Sequence, residues 1–247
     1  MIALERFTPV VPVIVLIACA GTAVAGGEDR VHVSSASDDH AIEIAQSVVQ
    51  KMGGWEHWDA ARYVHWSFFG RRKHDWDRWT GDIRIETDKN LILMNINTKK
   101  GRAWEEGKEV VDPDKLAGML ESGHKMWVND SYWMFMPYKL LDEGVTLKYT
   151  GEKDLDDGRP ADVLTLSFDG VGYTPENRYE VFVAKDTGLV EAWSYFAKAG
   201  DEKAAFTLPW GNWKQFGNVM LATEHGRGVD WEIAVKESMP RTLFTEP

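Results

Sequence analysis

The chain has 247 residues, 44% of them hydrophobic, with 12 tryptophans and a formal net charge of -11. That is enough apolar mass to bury a large core in one sizeable all-β domain. The acidic balance excludes nucleic acid as a partner and charge-driven attraction to anionic lipid headgroups, while leaving apolar binding open.

Arg6 precedes an apolar run, Val10 to Ala18, interrupted by Pro12. The run is too short to span a bilayer and has the size of a signal-peptide core, so residues 1–25 read as an export signal. Leu16-Ile17-Ala18-Cys19 resembles the lipobox of bacterial lipoproteins, and Ala23-Val24-Ala25 is an alternative cleavage site. Cys19 is the single cysteine and stands at the lipobox position, so its acylation is the expected outcome. Ala20 in the second position of such a lipoprotein implies outer-membrane sorting. Otherwise the protein is soluble in the periplasm or secreted. The mature domain loses no net charge, since Glu5 and Arg6 cancel, and it holds no disulfide. Residues 20–37 are Gly/Ala/Ser-rich and read as a flexible linker, and any membrane contact runs through the lipid anchor alone.

Residues 38–247 read as one domain. Ser37-Asp38-Asp39 starts a helix, Ala41, Ala45, Val48, Val49 and Met52 form its apolar face, and Gly53-Gly54 ends it. Trp55 to Trp58 is expected to make a short turn. Val64, Trp66 and Phe68 alternate with His65 and Ser67 as a half-buried strand. Arg71 to Arg78 reads as a polar connection, and strands follow near Thr80–Thr87 and Leu91–Thr98. Asp112-Pro113-Asp114 starts a second helix over about Asp114–Val128. Gly118 and Gly123 weaken it, which suits either a mobile lid or close packing on the sheet. Trp127 to Tyr138 is the most aromatic stretch. Ala161–Phe196 then gives three antiparallel strands, with Leu164, Leu166 and Phe168 on one face and Asp186-Thr187-Gly188 as a hairpin turn. The alternation Val229 to Lys236 predicts the last strand. The total is about eleven strands and two helices.

A leading amphipathic helix, an inserted helical segment, a curved antiparallel sheet and an export signal resemble the LolA/LolB-like fold. The segments Lys51-Met52-Gly53-Gly54-Trp55, Asp77-Arg78-Trp79-Thr80-Gly81, Trp127 to Trp133 with Pro137, Phe168 to Pro175, and Asp186 to Val190 resemble an uncharacterised family of extracytoplasmic bacterial proteins related to it. The resemblance implies a mainly β, α+β fold: an unclosed antiparallel β-barrel whose concave face is covered by helices. It also implies carriage of lipids or of lipoprotein acyl chains.

No nucleophile elbow, phosphate-binding loop or dinucleotide fingerprint is present. His74, Asp75 and Asp77 could offer metal ligands on a loop, but a solvated connection is the plainer reading, and His124 reads as a surface residue. The adjacent acids Glu105-Glu106, Asp142-Glu143 and Asp156-Asp157 fall in turns. No catalytic residue, metal or cofactor is therefore expected. Trp66, Phe68, Met94, Trp127, Trp133, Phe135, Met136, Tyr138, Phe182 and Trp193 are candidates to line an apolar cavity under the helices. The expected function is a non-catalytic, monomeric cell-envelope protein holding lipid or acyl chains, with other lipoproteins as candidate partners. The alternatives are a carbohydrate-binding or adhesion module using exposed Trp58, Trp76, Trp79, Trp210 or Trp213, a hydrolase, and a purely structural envelope protein.

Overall fold

The computed structural model describes residues 30–170 and 173–247. The expected signal segment, Cys19 with its lipobox, the site after Ala25 and the first part of the linker lie outside those residues. The remainder of the linker segment lies along the protein. The backbone N–H groups of His32 and Ser34 donate to the carbonyls of Leu141 and Val145 at 3.0 and 2.8 Å.

Helix α1 (Asp39–Lys51) buries Ala41, Ala45, Val48 and Val49 at spacings of three and four. Asp38 does not cap it. Its carboxylate accepts instead from the Tyr149 backbone N–H at 3.0 Å and from Lys148 Nζ at 2.8 Å, tying the helix start to a distant strand. Gly53 ends the helix at φ 111°, and a Cβ there would sit 2.3 Å from the Asn218 carbonyl oxygen, so only glycine fits. Trp55 to Trp58 falls in a short helix, α2 (Gly54–Ala60), where a turn is expected.

Six strands follow: β1 (Tyr63–Phe68), β2 (Arg72–Asp77), β3 (Asp82–Glu86), β4 (Asn90–Asn95), β5 (Gly101–Glu105) and β6 (Lys108–Glu109). Helix α3 (Pro113–Phe135) runs into a 3-10 turn, Met136–Lys139. Eight strands complete the chain: β7 (Val145–Asp154), β8 (Pro160–Phe168), β9 (Arg178–Ala184), β10 (Val190–Phe196), β11 (Phe206–Pro209), β12 (Gly211–Phe216), β13 (Val219–Glu224) and β14 (Ile233–Lys236). They pair in the orders β14-β1-β2-β3-β4-β5-β6, β11-β10-β9-β8-β7 and β12-β13. Among the described residues every strand pairing is antiparallel, and these rows do not close into a barrel. The architecture is the expected unclosed, mainly β one with helical cover. The fourteen strands among the described residues exceed the expected eleven or so, because short strands such as β6 and polar ones such as β2 give little apolar signal.

Arg71–Arg78, read as a solvated connection, is in fact strand β2 inside the seven-stranded sheet. The second helix also runs further than its expected end at Val128 and takes in most of the aromatic stretch. Asp112 caps α3 by accepting from Lys115 N at 2.8 Å. Gly123 lies against the sheet, where a Cβ would meet the Ile92 side chain at 3.0 and 3.1 Å. Gly118 faces open space. One core runs from α1 and α2 through the inner sheet faces to α3. Among the described residues, no helix is long and apolar enough to cross a membrane.

Candidate functional site

Strand β2 carries polar residues on both faces. Its period of two turns Arg72, His74 and Trp76 towards α3, and Lys73, Asp75 and Asp77 away from it. Asp130 of α3 is fully buried and meets that inner row. Arg72 donates to its two carboxylate oxygens from Nε and Nη2, both at 2.6 Å, and Asn129 Nδ2 donates at 2.9 Å. His74 Nε2 lies 2.7 Å from Asp130 Oδ2. Burial pushes the Asp130 carboxyl up, but the hydrogen bonds from His74 and Arg72 outweigh it and hold the group below its ordinary range. Burial pushes His74 down, against the pull of Asp130. The arrangement is an ionised carboxylate accepting a hydrogen bond from the Nε2–H of a neutral imidazole. His74 Nδ1 is then a buried acceptor with no hydrogen-bond partner, and its ring stacks on Trp66 at 4.5 Å.

The same alternation dissolves the possible metal site. His74 faces inward, whereas Asp75 pairs with His65 at 2.8 Å and Asp77 with Arg62 on the outer face. No group of three His, Cys, Asp or Glu side chains is placed to hold a metal among the described residues.

Beside this network, between the second half of α3 and the five-stranded sheet, lies a cavity of about 930 Å³. Helix α3 contributes His124, Lys125, Trp127, Val128, Asn129, Ser131, Tyr132 and Trp133. Val145, Phe168 and Tyr179 supply the sheet wall, Tyr173 and Thr174 the β8–β9 loop, and Lys99 the β4–β5 turn. Lys139, Asp142 and Glu143 line it beyond the end of α3. The aromatic wall is continuous: Tyr132 lies 6.2 Å from Phe168 and 5.6 Å from Tyr179, ring centre to ring centre. The Tyr132 hydroxyl and Trp127 Nε1 are shut off from solvent without a hydrogen-bond partner. Burial drives the Tyr132 hydroxyl well above the usual tyrosine range and Tyr179 up to about 12, so both remain neutral donors.

Of the ten residues expected around a cavity, Trp127 and Trp133 line this one. Trp193 stands behind the wall, edge-to-face with Trp133 at 4.6 Å and stacked on Tyr179 at 5.0 Å. Trp66, Phe135, Met136 and Tyr138 are core residues, and Tyr138 stacks on Trp58 while donating to the Met52 carbonyl at 2.9 Å. Met94 packs beneath Gly123, and Phe68 packs among Phe69, Trp133 and Trp231 under Arg72. Phe182 lies on the opposite face of the sheet, in a small cluster with Ala161 and Val163. Its position one residue from Val181 and Val183 already sets it on that face by the strand's period of two. His124, expected at the surface, is half-buried on the cavity wall and sits 2.8 Å from the Tyr173 hydroxyl. Sequence reasoning missed Tyr132, Phe168 and Tyr179 as wall residues. The alternation of Phe168 with Leu164 and Leu166 carried the signal for one of them.

The tryptophan-platform alternative finds little surface. Of Trp58, Trp76, Trp79, Trp210 and Trp213, Trp79 alone is exposed, at 63%. Its indole N–H donates to the Asp59 carbonyl at 2.9 Å, and the Arg62 guanidinium lies 4.9 Å from its ring centre.

No protein-family model matches the chain. No curated protein matches it either. Among solved structures, a DUF1329 family protein from Desulfovibrio piger is similar at 14% identity, over 84% of this chain and 98% of that one, with a TM-score of 0.45. A LolA superfamily protein from Nitrosomonas europaea is similar at 10% identity, over 82% and 97%, with a TM-score of 0.34. Pseudomonas aeruginosa MucB, in a complex with MucA, is similar at 18% identity over 64% and 52%, with a TM-score of 0.25. These likenesses are to an uncharacterised family and to LolA-like proteins, and at such values they carry no conclusion about function.

Proposed function

We propose that this protein is a non-catalytic, lipid-binding protein of the cell envelope, and that the aromatic groove between α3 and the five-stranded sheet holds an acyl chain. The groove itself carries the reading. Its volume of about 930 Å³ falls in the range of about 300–1,000 Å³ typical of small-molecule sites. Its wall is apolar over Trp133, Phe168 and Val145, with the aromatic rings of Tyr132 and Tyr179 beside them. Affinity would come from apolar burial at about 25 cal/mol per Å². Export through residues 1–25 and acylation at Cys19 would place the groove in the periplasm, tethered to the outer membrane, where lipids and other lipoproteins are within reach.

A chain-binding assay tests the groove directly. Val128→Glu sets a carboxylate on its wall. The variant should keep its fold, since Val128 is only half-buried, and lose displacement of a fluorescent apolar probe by a dodecyl chain. Unchanged chain binding in that variant would place the ligand elsewhere.

A further inference from the structure

The groove is electrically lopsided, although the protein is strongly acidic overall. At one end stand Lys99, His124 and Lys125, grouped around Tyr173. The Tyr173 hydroxyl is 2.8 Å from His124 Nδ1, and Lys125 Nζ lies 5.7 Å from the Tyr173 ring centre. Beyond the end of α3 the lining turns acidic. There Lys139 is taken up by Asp142 at 2.6 Å, and Glu143 stands beside them.

Lys99 is the informative member of the basic end. Among the described residues it makes no direct ion pair, whereas Lys125 is bonded to Glu121 at 2.6 Å, and that Glu121 carboxylate also feels the Lys99 charge. Lys99 also sits at φ 57°, a left-handed conformation that favours glycine or asparagine over lysine. A tight turn therefore holds a side chain ill-suited to its backbone, with its charge beside the groove, as strained functional positions do. Tyr173 is 47% exposed, so a large aromatic ring lies over the basic end without being packed into the core.

We infer that the basic end is a headgroup subsite for an anionic amphiphile. Lys99 and Lys125 pair with the anionic oxygens, Tyr173 covers the head, and the chain runs along Tyr132, Phe168 and Tyr179 towards the acidic end. This rests on the groove being an acyl-chain site and adds which chains it selects. A protein of net charge -11 repels anionic surfaces at long range. Selection would then act at short range on a single extracted head, inside one screening length.

The test compares dodecyl phosphate, dodecyl maltoside, dodecyltrimethylammonium and inorganic phosphate, each amphiphile below its micelle concentration, titrated into the whole protein and into Lys99→Ala/Lys125→Ala. Both lysines are exposed, so the variant should fold. Dodecyl phosphate should bind about tenfold or more tighter than the maltoside, which is about 1.4 kcal/mol, with the cationic chain weakest. In the double variant that preference should vanish, the larger loss falling on dodecyl phosphate. Equal binding of phosphate and maltoside chains, or a preference that survives in the variant, overturns the subsite and leaves the groove reading intact. Inorganic phosphate binding as tightly as dodecyl phosphate overturns it in favour of a simple anion site. If no chain binds, the groove reading and the subsite fall together.

Discussion

His74 and Asp130, 56 positions apart in sequence, meet at 2.7 Å with neither side chain reached by solvent. This contact, with the paired bonds from Arg72, is where α3 is fastened to the seven-stranded sheet. The first half of α3 is held by an exposed ion pair instead, Lys115 Nζ to Glu105 of β5 at 2.5 Å, and its residues from Pro113 to Gly118 are mostly exposed.

Removing the anchor should cost more than a surface ion pair. Asp130→Ala leaves His74 and Arg72 facing a buried void without their acceptor, a loss of about 3 kcal/mol. Asp130→Asn keeps one acceptor oxygen and should fall between wild type and alanine. Urea unfolding of the three proteins checks the order. A midpoint for Asp130→Ala within error of wild type would show that the network does not hold α3.

The two buried histidines make stability fall on the acid side. His225 is sealed between Trp210 and Trp231, and burial pushes it down to about 3. An unfolded histidine titrates near 6.5. Between those values the unfolded chain binds a proton that the folded chain refuses. The stability present above about pH 6.5 is therefore lost as pH drops towards 3, at about 1.4 kcal/mol per pH unit for each such group. His74 is shifted down as well and acts in the same direction. The urea midpoint should be level above pH 7 and decline below 6.5, and His225→Gln should make that decline shallower. An identical slope in the variant would assign the acid sensitivity to other groups.

The two glycines of α3 should respond in opposite ways. Gly118→Ala meets nothing within 4 Å and gains helix propensity, so it should stabilise the protein by up to about 1 kcal/mol. Gly123→Leu would drive carbon into Ile92 and Met94 and pry the helix off the sheet, at a cost of about 1–3 kcal/mol. Thermal melts of both variants check the signs. A Gly123→Leu protein as stable as wild type would mean that α3 yields at this point, as a hinge would.

These positions also mark how far the sequence could be read. The meander β8–β9–β10 is legible because its faces differ: Leu164, Leu166 and Phe168 point one way and Thr165 and Ser167 the other. Strand β2 is not, because its inner residues Arg72 and His74 are polar. What makes them tolerable inside is Asp130, on a helix that no local pattern connects to them. Asp130 itself stands three residues from Trp127 and four from Met134, on the face that α3 buries. A lone acid there is a visible irregularity whose partner is not visible. The groove was half legible. Trp127 and Trp133 were apparent as aromatic candidates, but which aromatics pack into the core and which line open space depends on how two sheets and a helix meet. Lys99 offers no pattern at all, since its relevance lies in a backbone angle and a neighbouring loop.

The central claim is that the groove holds an acyl chain. Its most direct test is to express the chain from Glu28 onward into a bacterial periplasm, purify it without detergent, and extract it for lipid mass spectrometry beside the Val128→Glu variant. The account predicts about one phospholipid, fatty acid or acylated peptide per wild-type chain and little on the variant. Wild-type protein that emerges without lipid, and that takes none up from phospholipid vesicles or added fatty acid, would contradict it.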